Sequence, residues 1–104
     1  MSSFKYVAHY IILWNFTEQG TKNLKGCIDS IEIFKHNTER RGNPYHGTFY
    51  SFGQYDAVSL VEAKDDFEVR EDLLKVDMQG NLRSTTLKSI THEEAIKLAE
   101  SISE

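Results

Sequence analysis

Near the start of the chain, Lys5 to Trp14 reads as a strand that is apolar on both faces. Side chains alternate along a strand. Tyr6, Ala8, Tyr10, Ile12 and Trp14 therefore share one face, and Val7, His9, Ile11 and Leu13 the other. A strand of this kind belongs in the middle of a sheet covered on both sides. Whatever the rest of the chain forms must supply both covers.

The remaining elements follow from periodicity and end signals. Asn15 to Gly20 is a strand-to-helix junction with Thr17 as N-cap, because its hydroxyl accepts from a free helical N–H. A helix is expected to run to about Arg41, with Leu24, Ile28, Ile31 and Phe34 at helical spacing and Cys27 and Ile33 flanking them. Gly26 would break or bend it, and Gly42-Asn43-Pro44 stops it. Thr48 to Phe52 and Ala57 to Ala63 read as strands joined by a turn at Gly53-Gln54-Tyr55-Asp56. Asp65 with Glu68 resembles a capping box, and Phe67, Leu73, Leu74 and Met78 form a stripe that ends at Gly80. Leu82 to Ile90 is the fourth strand. Thr91-His92-Glu93-Glu94 is a second capping box, opening a last helix with Ile96, Leu98, Ala99 and Ile102.

This order, βαββαβ plus a C-terminal helix, predicts an α+β fold of the ferredoxin-like kind. Its antiparallel four-stranded sheet carries both helices on one face. Residues 1–104 make one domain by length. The open face then conflicts with a first strand apolar on both sides. A second copy laid sheet against sheet resolves the conflict, so a homodimer is expected, with room for higher assembly.

Charge and composition exclude several classes. The net charge is -4, and the longest basic run is Arg40-Arg41, so no nucleic-acid surface is expected. The chain has 1 cysteine, Cys27, which excludes an intramolecular disulfide and fits a reducing compartment. Met1-Ser2-Ser3-Phe4-Lys5 lacks the pattern of a signal peptide. No apolar stretch approaches the ~20 residues that span a bilayer. A soluble, cytoplasmic protein without a membrane partner is expected.

Three segments carry a family resemblance. Trp14-Asn15-Phe16-Thr17-Glu18-Gln19-Gly20, continuing through Thr21-Lys22-Asn23-Leu24, is similar to the first-strand exit and helix start of the GYD-domain family. Gly53-Gln54-Tyr55-Asp56 matches the motif that names it, and Gly80-Asn81-Leu82-Arg83-Ser84-Thr85 resembles its approach to the last strand. The resemblance covers nearly the whole chain and implies a dimeric α/β barrel. It implies no settled activity. Asn43-Pro44-Tyr45-His46 departs from the pattern and is read as bordering the rim described next.

In a ferredoxin-like sheet the first strand ends where the second and third turn and where the fourth begins. Trp14, Asn15 and Thr17, then Gln54, Tyr55 and Asp56, then Asn81 and Arg83 should therefore meet at one rim. The N-terminus of the first helix would lie there and favour an anion. Two readings stand. In one, Gly53 permits the turn, Asp56 bonds nearby backbone, Asn15 and Thr17 cap, and Arg83 pairs with Asp56 or a neighbouring subunit. In the other, Arg83 and Tyr55 hold a small anionic or aromatic ligand, the guanidinium fork suiting a planar carboxylate.

Other chemistry is sparse. Tyr6, Tyr10 and Trp14, with Tyr50 and Phe52 on the second strand, either form interface core or line a flat pocket. His9, His36, His46 and His92 lack the spacing of a helical metal motif, so no metal and no cofactor is expected. His9 points away from the tyrosines, and Cys27 sits on the apolar stripe as a buried thiol. No phosphate loop or nucleophile elbow is present. The leading reading is a homo-oligomeric module that binds a metabolite or protein partner without catalysis. The alternatives are an oxygenase- or isomerase-like enzyme with an aromatic-lined pocket, in which Trp14, Asn15, Tyr55 and Arg83 position substrate, and a purely structural assembly protein.

Overall fold

Four strands pair in the order β2-β3-β1-β4, every neighbour antiparallel, in a computed structural model that describes residues 7–103. Along the chain these are β1 (Ala8–Phe16), α1 (Glu18–Thr21), α2 (Leu24–Arg40), β2 (Tyr45–Tyr50), β3 (Ala57–Ala63), α3 (Asp66–Asp77), β4 (Leu82–Ser89) and α4 (His92–Ser103). The protein is thus α+β, with a four-stranded antiparallel sheet and four helices. β1 is central, as its two apolar faces require. Lys5 and Tyr6 lie outside the described residues.

The sheet's register separates its faces, because directly opposed residues point the same way. Tyr10, Ile12 and Trp14 share their face with Ala57, Ser59, Val61 and Ala63 of β3 and with Leu82 of β4. These residues form the core together with Cys27, Ile31 and Phe34 of α2 and Val69, Leu73 and Val76 of α3. Trp14 meets Phe34 edge-on at 5.3 Å between ring centroids. The opposite face carries His9, Ile11, Leu13 and Asn15, then Val58, Leu60 and Glu62, with Phe49 on β2 and Arg83, Thr85 and Leu87 on β4. Phe49 is 60% exposed and Leu87 45%.

Several expectations change. The first helix is split. Thr17 caps the single turn α1, and Asn23 caps α2 by accepting from the Gly26 N–H at 3.0 Å. Gly26 does not break the helix, which runs on to Arg40. A Cβ there would lie 2.3 Å from the Asn23 side chain, so the glycine makes room for the cap. β2 starts earlier than expected and ends at Tyr50, which leaves Phe52 in the loop. In α3 the buried stripe is Val69, Asp72, Leu73 and Val76, while Phe67 and Met78 face outward. Asp72 holds an inward position because Arg41 grips both its oxygens, at 3.0 and 3.2 Å. The Thr91 capping box forms in both directions, at 2.8 and 3.1 Å. α4 itself buries no residue.

Candidate functional site

The three segments singled out in the sequence do converge at one end of the sheet, and hydrogen bonds tie them together. Asp56 closes the exit of β1: its N–H donates to the Trp14 carbonyl at 2.9 Å and its Oδ2 accepts from the Phe16 N–H at 2.8 Å. Asn15 Nδ2 donates to the Gln54 carbonyl at 2.9 Å. Thr17 donates from its N–H to the Asn81 carbonyl at 3.1 Å and from its hydroxyl to the Gly80 carbonyl at 2.6 Å. Gln19, beside them, donates to Asn81 Oδ1 at 2.9 Å. The hairpin is braced internally, with Ser51 Oγ donating to the Tyr55 carbonyl at 2.7 Å.

The rim residues thus divide into a frame and an accessible part. Trp14 is fully buried beneath α2, its indole N–H donating to Ser59 Oγ at 2.9 Å. Asn81 is buried, and Asp56 is engaged by backbone. Arg83 is exposed opposite Asn15 on the sheet face away from α2 and α3, Gln54 is exposed, and Tyr55 is half-buried. Two expectations about the rim need correction. The helix that starts there is the four-residue α1, whose Gly20 N–H is already taken by Thr17 at 3.0 Å. A long helix dipole is therefore not aimed at the rim. Nor does the turn impose glycine at Gly53: its φ is not positive, and a Cβ there would meet nothing within 4 Å.

The aromatic residues are parcelled out differently from both expectations, a shared interface core and a flat pocket. Tyr10 and Trp14 are buried under the protein's own helices, while Phe52 is fully exposed in the hairpin. Desolvation, with the neighbouring Asp66 carboxylate, pushes the Tyr10 phenol well above its usual range. Tyr45, Thr48 and Ser59 form a hydroxyl cluster below Trp14, with Thr48 Oγ1 and Ser59 Oγ 2.8 Å apart. Only the strand register brings these small hydroxyls together, so spacing in the chain gave no signal.

A second polar group was equally hidden. Asn43 to His46 lies at the end of β2 away from the hairpin, so it does not border the rim. A register shift between Tyr45 and Gly47 interrupts the ladder there. His46 Nε2 comes within 2.5 Å of Glu62 Oε2, and His9 Nε2 within 3.8 Å of the same oxygen. The two imidazoles stack with centroids 6.5 Å apart. Among the described residues, no group of three or more His, Cys, Asp or Glu is placed to hold a metal ion. Cys27 is buried, its thiol donating to the Gly20 carbonyl at 3.3 Å and held above its usual pKa chiefly by desolvation. No helix among the described residues is long and apolar enough to cross a membrane.

The family model described as the GYD domain matches residues 10–99, a span that includes all three rim segments. No curated protein matches the chain. Among solved structures, the crystal structure of MtbAldR is similar at a TM-score of 0.60 and 16% identity, covering 82% of this chain and 52% of that one. An unknown protein from Galdieria sulphuraria is similar at a TM-score of 0.50 and 10% identity, covering 82% of this chain and 46% of that one. The chain spans about half the length of each. At these identities the likeness is one of fold.

Proposed function

The chain belongs to the GYD-domain family, and we propose that it is a homo-oligomeric module that binds a small metabolite or a protein partner without catalysis. One observation carries this reading. Ile11, Leu13, Val58, Leu60, Phe49 and Leu87 lie together on the sheet face away from α2 and α3. Apolar area buried against a second copy stabilises by about 25 cal/mol per Å². A partner laid sheet to sheet covers this row, and the two ferredoxin-like halves then make a dimeric α/β barrel.

The rim borders that face. In the dimer, Trp14, Thr17, Asp56 and Asn81 hold its shape, and Asn15, Gln54, Tyr55 and Arg83 meet a small anionic or aromatic ligand. Arg83 supplies a planar fork of donors for a carboxylate. The open space beside Gly53 leaves the partner or ligand free to approach the hairpin backbone. The lone buried thiol of Cys27 fits a reducing cytoplasm.

Native mass spectrometry of protein from its source cells tests the reading. Wild type should retain a small ligand on a dimer, and Arg83→Ala should lose the ligand while the assembly mass stays the same. If Arg83→Ala dissolves the dimer, or keeps the ligand, Arg83 is not the ligand's anchor.

A further inference from the structure

α4 carries an apolar stripe that the described residues leave uncovered. Ala95, Leu98, Ala99 and Ile102 recur at helical spacing along one face. Yet α4 buries no residue, and Leu98 and Ile102 stay 53% and 74% exposed. Among the described residues, its side chains bond only within α4 and to the Thr91 cap. α4 has 12 residues, and helices shorter than ~12–15 residues are marginal in water without tertiary packing. Its place in the fold points to what supplies that packing. β4 ends at Ser89, opposite His9 on the open sheet face, and α4 begins at His92. Glu94, in its first turn, is held below the usual carboxylate range chiefly by its bonds from Thr91 and also by His9. α4 thus sets out from the border of the open face, beside the row that runs through Ile11 and Leu87. A stable interface takes about 20–30 residues a side, and the open face offers roughly half that number. The residues of α4 make up the difference.

We propose that α4 is an exchanged arm, its Ala95, Leu98, Ala99 and Ile102 face docking on a second copy of this chain beside the sheet-to-sheet contact. This rests on the dimer reading above and names what completes that interface. A two-fold contact is isologous, so each copy gives one α4 and receives one. Removing the stripe from water drives the docking, as it does for the sheet row it adjoins. Glu93, Lys97 and Glu100 fall on the opposite side of the helix by the same spacing. They stay in water when the stripe is covered, so docking buries no unpaired charge. Assembly, rather than its own domain, then orders α4.

Hydrogen exchange read by mass spectrometry on the full chain, wild type and Leu60→Asp, tests this. The α4 amides should be protected in the wild-type dimer and exchange at least about a hundredfold faster in monomeric Leu60→Asp, while α2 keeps its protection. Light scattering supplies the second arm. Leu98→Asp/Ile102→Asp changes two exposed side chains, so the fold is untouched, and it should weaken the dimer at least about a hundredfold. Glu100→Ala, on the opposite side of α4, should change nothing. Protection of α4 in monomeric Leu60→Asp would mean that the helix packs on its own chain, residues 1–6 included. Unprotected α4 in the wild-type dimer would mean that it awaits a different molecule. Either result overturns the proposal. A dimer lost in Leu60→Asp but intact in Leu98→Asp/Ile102→Asp refutes the arm and leaves the sheet-to-sheet reading standing. A dimer that survives Leu60→Asp but not Leu98→Asp/Ile102→Asp does the reverse, and a monomeric wild type refutes both.

Discussion

Single residues show where the chain has no freedom. Gly20 is one such position: a Cβ there would lie 2.1 Å from the Asn81 carbonyl oxygen and 2.9 Å from Cys27 Sγ. A backbone oxygen is not easily displaced, so Gly20→Ala should cost about 3 kcal/mol. Chemical denaturation reads this directly, with Gly53→Ala as the control expected to change nothing. Asp77 is a different case. Its Oδ1 is buried without a partner among the described residues, and desolvation raises its pKa. The folded chain therefore keeps this proton to a higher pH than the unfolded chain does. Stability contributed by the neutral form is lost as pH rises through the folded pKa, and the penalty remains at neutral pH. Asp77→Asn should raise stability by roughly 1 kcal/mol at pH 7. Thermal melts should show that gain fading below about pH 4, where the unfolded carboxyl is protonated too.

At the level of elements, local signals were legible and tertiary ones were not. The caps at Thr17, Asp65 and Thr91 and the stop at Gly42 depend on neighbours within three or four residues, so the sequence displays them. The convergence of Asn15, Asp56 and Asn81 followed from topology alone. The phase of α3 did not. Hydropathy points to Phe67 and Met78, but the helix turns Asp72 inward because Arg41, on the far side of α2's C-terminus, neutralises it. Spacing along one helix holds no record of a cation from another. Glu62 escaped notice for the same reason, since its link to His9 and His46 exists only in the sheet's register. The Arg41–Asp72 pair should be costly to break by halves. Arg41→Ala leaves a buried carboxylate behind and should cost about 3 kcal/mol, whereas Arg41→Met with Asp72→Leu should recover most of that loss in urea melts.

For the whole molecule, one face is finished and the other is not. The α2–α3 side has a closed core, from Tyr10 to Trp14 across to Phe34 and Leu73. The other side exposes Phe49 and Leu87 beside Ile11, Leu13, Val58 and Leu60. That face was foreseeable, because β1 is apolar on both sides. Its aromatic content was not, because Tyr10 and Trp14 were taken by the inner core. The decisive measurement is size-exclusion chromatography with light scattering at micromolar concentration, on wild type and Leu60→Asp. A sheet-to-sheet assembly requires wild type at twice, or an even multiple of, the 12.0 kDa chain mass and a folded Leu60→Asp at 12.0 kDa. Monodisperse wild type at 12.0 kDa, or an assembly unchanged by Leu60→Asp, would refute it.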